Sequence, residues 1–160
     1  MATIVVASVS GHKTSTHRSD WPVEAGPVHL GLSHYLVSQG IKDFFIVARG
    51  MLAGAPAVGS AVATITAVSP QSGGLAEAKV EGPLAHALSA LDIDALVLQG
   101  RAPQISGLVV KPSADGVVLE WAESLAMKDA TVWETDAAVR VGESDVILAI
   151  GQPGMNQHPG

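Results

Sequence analysis

The chain alternates short, dense apolar runs with turns made of small residues. Residues 3–9 are apolar and β-branched along their length, which predicts a strand buried on both faces. Residues 43–48 and 95–98 repeat that pattern, and each apolar run is followed two positions later by glycine, Gly50 and Gly100. Residues 61–68 alternate, with Thr64 and Thr66 marking a strand with one more polar face. Residues 27–39 place Leu30, Tyr35, Leu36 and Val37 for one side of a helix, with Gly40 where a C-terminal cap would sit. A helix is also predicted after the turn at residues 69–74. There Glu77 and Glu81 stand at i,i+4 spacing with Lys79 between, but Gly82-Pro83 cuts it, so the firm helix is residues 83–91.

The C-terminal third carries a hairpin signal. Residues 106–111 and 117–121 flank a turn ending in Asp115-Gly116. Thr131 and Glu134 form a capping box opening a helix that reaches Val141, with Gly142 after it. Residues 145–150 read as the last strand. The polar stretch 10–26, with His12, His17 and Trp21-Pro22, reads as a loop or irregular strand. The Gly/Pro-rich tail 151–160 reads as frayed or bound to something. Helices mixed with strands and a hairpin give an α+β class with a mixed β-sheet, ahead of α/β. No linker divides residues 1–160, so one domain is expected. Residues 44–48 before Gly50 are similar to residues 146–150 before Gly151, as any two buried strands can be.

Composition changes this picture in one respect. The chain is 48% apolar and only 15% charged, with a mean hydropathy of +0.34. Apolar surface awaiting a partner, whether another copy or a missing part of a larger chain, competes with an Ala/Val-rich core in an ordinary domain. The net charge of −6 and the lack of a Lys/Arg cluster argue against nucleic acid. No apolar run is long enough to span a membrane, and the first residues fit a strand rather than a signal leader. The absence of cysteine excludes disulfides, iron–sulfur ligation and a thiol nucleophile within this chain, and fits a cytoplasmic protein.

Catalytic side chains are scarce. His29 and His34 are five residues apart and do not share a helix face, and His12 and His17 lack a third ligand nearby. No metal site and no catalytic residue is expected. Asp92 and Asp94 border a strand start and read as capping or solvated; Glu77, Lys79 and Glu81 read as an exposed helix face; Glu120 and Glu123 read likewise as solvated. No G-x-S-x-G occurs. What remains is small-residue turns, at residues 50–54 and at Ser69-Pro70-Gln71-Ser72-Gly73-Gly74. Neither completes a P-loop or G-x-G-x-x-G. Free N–H groups between a strand and a helix nevertheless suit an anion.

The order of these central motifs resembles the N-terminal domain of the aldehyde ferredoxin oxidoreductase family, the tungsten- or molybdenum-pterin enzymes. Gly50-Met51-Leu52-Ala53-Gly54, Ala55-Pro56, Gly59-Ser60, a β-branched strand, Ser69-Pro70-Gln71-Ser72-Gly73 and residues 93–102 follow the family's pattern without an obvious gap. Residues 31–36, the hairpin, the Trp133 helix and residues 147–156 follow it more loosely. The resemblance implies the family's fold and a tungstopterin or molybdopterin cofactor, contacted by Ser69, Ser72, Gly73, Gly74, Lys79 and Gly82. Val62 stands where the family has a pterin-contacting arginine, and Lys79 where it has an asparagine. The family's iron–sulfur cysteines and metal-site residues lie in later domains, so the chain would be at most a subunit or fragment of an oxidoreductase. The alternative is a structural or small-ligand module that has lost the cofactor. The family's domain is built as a duplication whose halves would start at the strands of Phe44 and Val146. That implies a homo-oligomer, or a larger complex, supplying the missing half.

Overall fold

The computed structural model describes residues 2–11, 13–19, 27–102, 105–123 and 129–151. Eleven elements follow one another: β1 (Ala2–Ser8), β2 (Lys13–Ser19), α1 (Val28–Ser38), β3 (Phe44–Arg49), β4 (Val62–Val68), β5 (Leu75–Glu81), α2 (Pro83–Ala90), β6 (Ala95–Gln99), β7 (Ser106–Ser113), β8 (Gly116–Glu123) and α3 (Val132–Val139). Six strands form one sheet in the order β2-β1-β6-β3-β4-β5, and β7-β8 stand apart as a hairpin. Among the described strands of this sheet only β1 and β6 run parallel; every other neighbouring pair is antiparallel. The class is α+β with a mixed sheet, as the pattern predicts.

The strands richest in apolar residues, β1, β6 and β3, take the centre because both of their faces are covered. Ile4, Phe44, Ile46, Ala95 and Val97 point to one face, where they meet Leu36, Leu32 and Val28 of α1. Val5 and Val47 point to the other, under Leu88 and Ile93, with Val110, Val117 and Leu119 of the hairpin beside them. A sheet sandwiched by one helix on one side, and by a helix plus a hairpin on the other, is thus built from period-two alternation in its middle strands.

Three expectations change. Residues 75–81 form a strand, not a helix. Leu75, Glu77, Lys79 and Glu81 alternate with Ala76, Ala78 and Val80, a strand period that the helix-favouring Ala, Glu and Lys obscure. The Ser69–Gly74 turn closes a β4–β5 hairpin, and that tertiary pairing overrides local propensity. Residues 13–19 form a regular antiparallel strand on β1 rather than a loop or an irregular strand. Residues 145–150 carry strand-like residues but have no ladder partner among the described residues, so they stay outside any sheet. The threonines of β4 lie on its α1 side, where Thr64 and Thr66 are buried, so the more polar face of that strand points inward. His12, Trp21, Pro22, the side chain of His17, and His158 with the rest of the tail from 152 lie outside the described residues.

Candidate functional site

The β4–β5 hairpin carries all six residues singled out above, and it divides them. Ser69, Ser72, Gly73 and Gly74 occupy the turn; Gly82 follows the far end of β5, with Lys79 near it. Six residue steps of strand separate Leu75 from Glu81, about 20 Å. One copy of the chain therefore does not gather these residues into one site.

The two ends differ in chemistry. In the turn, the amide of Ser69 donates to the carbonyl of Gly74 at 2.8 Å, and Gly73 N–H donates back to Ser69 O at 2.9 Å. Ser72 N–H donates to Ser69 Oγ and Gly74 N–H to Ser72 Oγ, at 3.3 and 3.2 Å. The amides that would cradle an anion are thus engaged within the turn itself. Gly73 takes φ +69°, a conformation that favours glycine.

At the other end, Gly82 adopts φ +134° and caps α2, with Pro83 in the first helical position. Its N–H bonds Ala61 O at 2.9 Å. As a glycine, Gly82 has no side chain to accept from the first N–H groups of this helix. Beside it lies an open depression of about 330 Å³ lined by Gly59, Ala61, Val62, Glu81 and Gly82. Its floor is backbone and small side chains. Among the described residues its ionisable lining group is the carboxylate of Glu81.

A network behind this depression fixes its walls. Gly50 N–H bonds Val62 O at 2.8 Å, and a Cβ on Gly50 would come within 2.9 Å of that same oxygen, so only glycine fits there. Arg49 grips Asp94 from Nε at 2.9 Å and from Nη2 at 2.8 Å. It also reaches Ser89 Oγ of α2 at 3.1 Å. Ser89 passes a hydrogen bond to Ala53 O at 3.1 Å, and Asp94 Oδ2 accepts from the N–H of Thr3 at 2.7 Å. Strands β1, β3 and β6, helix α2 and the 50–60 loop are thus tied at one point. Asp94 is a structural anchor rather than a solvated cap.

On the opposite face a polar layer lies between α1 and the outer strands. His29 Nε2 is 3.1 Å from Glu77 Oε2, and the buried Ser33 hydroxyl donates to Leu30 O at 2.9 Å. Thr66 Oγ1 is buried without a partner among the described residues. The sequence hid this contact because residue 77 reads as part of a helix. As a strand residue, Glu77 is in register with Thr66 and shares its face. The alternation of Thr64 and Thr66 is the signal that could have found the layer. Among the described residues, no three His, Asp or Glu side chains converge as metal ligands.

The described residues thus form a six-stranded mixed sheet with small-residue turns at both ends of an outer hairpin. The family described as aldehyde ferredoxin oxidoreductase, N-terminal domain, matches residues 38–160, and the chain belongs to it. Among solved structures it is similar to a chain of the active-site complex BamBC of benzoyl coenzyme A reductase in complex with 1,5-dienoyl-CoA. The TM-score is 0.72 at 19% identity, over 86% of this chain. The chain spans only 22% of that relative's length. Among curated proteins, none matches the chain significantly.

Proposed function

We propose that the chain is a non-catalytic domain of an oxidoreductase assembly of this family: it builds a small-residue wall of the cofactor region and leaves the charged contacts to another chain or copy. The observation that carries this reading is the depression at Gly59–Val62 and Glu81–Gly82. Its lining includes Val62 and Gly82, positions at which the resemblance implies the family's pterin contacts, and it lies at the start of α2. The residues present do not fit a phosphate-bearing pterin unaided. Val62 supplies no positive charge, and Glu81 presents a carboxylate that would repel a phosphate. Lys79 lies two residues from Glu81 on the same face of β5 and offsets that repulsion in part. No chemical step is therefore assigned to this chain.

The test is purification of the chain, alone and with the proteins it retains, from a host that makes the pterin cofactor. Tungsten, molybdenum and pterin fluorescence are then measured in each fraction. The reading expects cofactor in the assembly and none on the isolated chain. Stoichiometric pterin on the isolated chain overturns it. The same Glu81 and Val62 favour a second reading, a structural or small-ligand module that has lost the cofactor. Absence of metal and pterin from the whole assembly would select it.

A further inference from the structure

The free edge of β5 offers one more function. In the β4–β5 ladder, the amide of Gly82 donates to Ala61 and that of Ser69 to Gly74. Since hydrogen-bonded and non-hydrogen-bonded pairs alternate, the even-numbered residues 76, 78 and 80 turn their backbone toward β4. Leu75, Glu77, Lys79 and Glu81 therefore present their N–H and C=O groups outward. Among the described residues β5 is the last strand of the sheet, and its residues are exposed throughout except for the half-buried Val80. Lys and Glu on such an edge discourage indiscriminate pairing, yet their order here is self-complementary.

We propose that two copies of this chain pair antiparallel along β5, about a two-fold axis at Ala78. In that register Glu77 of each copy faces Lys79 of the other, so two opposite-charge pairs form. Ala76 meets Val80, and the two Ala78 residues meet at the narrow, non-hydrogen-bonded position. The outward-facing residues then exchange about eight hydrogen bonds. Shifting the axis to Glu77 sets Glu77 against itself. Shifting it to Lys79 sets Lys79 against itself and Glu77 against Glu81. An axis at Val80 would set Lys79 against Glu81, but it runs the strand onto Pro83, which has no N–H, and keeps only about half of the hydrogen bonds, so charge and strand overlap together select the register at Ala78. Leu75, exposed in the single copy, lies beside the methylene stem of Glu81 in the other.

This register has a consequence for the divided residues. It places Gly74 of one copy opposite Gly82 of the second, so the serine-bearing turn of each reaches the α2 end of the other. Ser69, Ser72, Gly73 and Gly74 become neighbours of Lys79 and Gly82 only across the two-fold, and each pair of chains has two such junctions. The inference rests on the reading that the chain works in an assembly, and names a second copy as the partner.

Sedimentation or light scattering on the full chain at about 10 μM tests it. The wild type is dimeric. Glu77→Lys alone and Lys79→Glu alone each weaken the dimer about tenfold or more by setting like charges opposite. An equimolar mixture of the two variants forms a heterodimer, and the double variant E77K/K79E dimerises with itself. Because Glu77→Lys also removes the His29 contact, Lys79→Pro serves as a second probe. It deletes an outward N–H and keeps every bond to β4, so it yields a folded monomer by circular dichroism. A wild-type monomer, a dimeric Lys79→Pro variant, or single variants that fail to rescue one another overturns the pairing. A monomer that still retains a different, cofactor-bearing subunit overturns the pairing and leaves the assembly reading standing. A dimer recovered without pterin in any preparation supports the pairing and removes the cofactor reading.

Discussion

The centre of the sheet and the C-terminal region after the hairpin are written in similar residues and end in opposite environments. Residues 44–48 and 146–150 are both apolar runs leading to glycine. Ile46 is 0% exposed, between β6 and β4 and under α1, whereas Leu148 and Ile150 are about half exposed. Nearby, Trp133 and Val141 are 84% and 96% exposed. An apolar run becomes a buried strand only where neighbours supply ladder bonds and both faces are covered. The difference teaches where the high hydropathy resides. The central strands bury their apolar side chains in the core, while the 50–60 loop, with Met51, Leu52 and Val58, and the last third, with Trp133, Val141, Leu148 and Ile150, display theirs.

That contrast can be broken at several depths. Ile46→Ala opens a cavity in the fully buried centre and costs about 2–5 kcal/mol, read from the midpoint of urea unfolding. A loss under 1 kcal/mol would mean that the centre is not the stabilising region. Arg49→Met leaves Asp94 with its partial burial but without its cation. Both side chains are about a fifth exposed, so solvent screening reduces the effect to about 2 kcal/mol. Its added signature is faster amide exchange in the 50–60 loop, which the Ser89 link holds. Thr131→Ala removes the hydroxyl that accepts from Glu134 N–H at 3.2 Å and costs about 1 kcal/mol, confined to α3. Trp133→Ser changes stability by less than about 0.5 kcal/mol, since the ring is exposed. If Trp133 lies in the assembly interface, the same change weakens co-purification of partners.

Acid separates the two regions without mutation. Hydrogen bonds from the backbone and side chain of Thr131 hold Glu134 below its ordinary carboxylate range. The Arg140 guanidinium does the same for Asp136, and the Gly142 and Val141 amides for Asp145. A carboxylate with a lowered folded pKa stabilises above its unfolded pKa, and that contribution fades as pH falls through the folded value. The α3 corner therefore loosens below about pH 4, while the sheet, held by apolar burial, persists. Residue-resolved amide exchange at pH 3 and pH 6 checks this. Equal loosening in both regions would contradict it.

Much of the fold was legible from period and punctuation. Apolar runs located β1, β3 and β6, β-branched alternation located β4, Asp115-Gly116 located the β7–β8 hairpin, and Thr131 with Glu134 located the start of α3. Local signals failed where a residue's state depends on a distant partner. Ala76, Glu77, Ala78 and Lys79 carry helix propensity but pair with β4, and residues 145–150 carry strand propensity but have no ladder partner among the described residues. The candidate site was legible as a set of residues and not as a place. Turn chemistry picked out Ser69–Gly74 and Gly82, but reading the segment between them as a helix concealed that a strand about 20 Å long holds them apart. The Arg49–Asp94–Ser89 network was invisible for the same reason, since its members are scattered along the chain.

The central claim is that this chain forms part of a cofactor domain and does not hold the cofactor alone. Its most direct test is the tungsten, molybdenum and pterin content of the isolated 160-residue chain, produced in a host that makes the cofactor and stripped of co-purifying proteins. The account predicts none above background. One metal and its pterin per chain would contradict it.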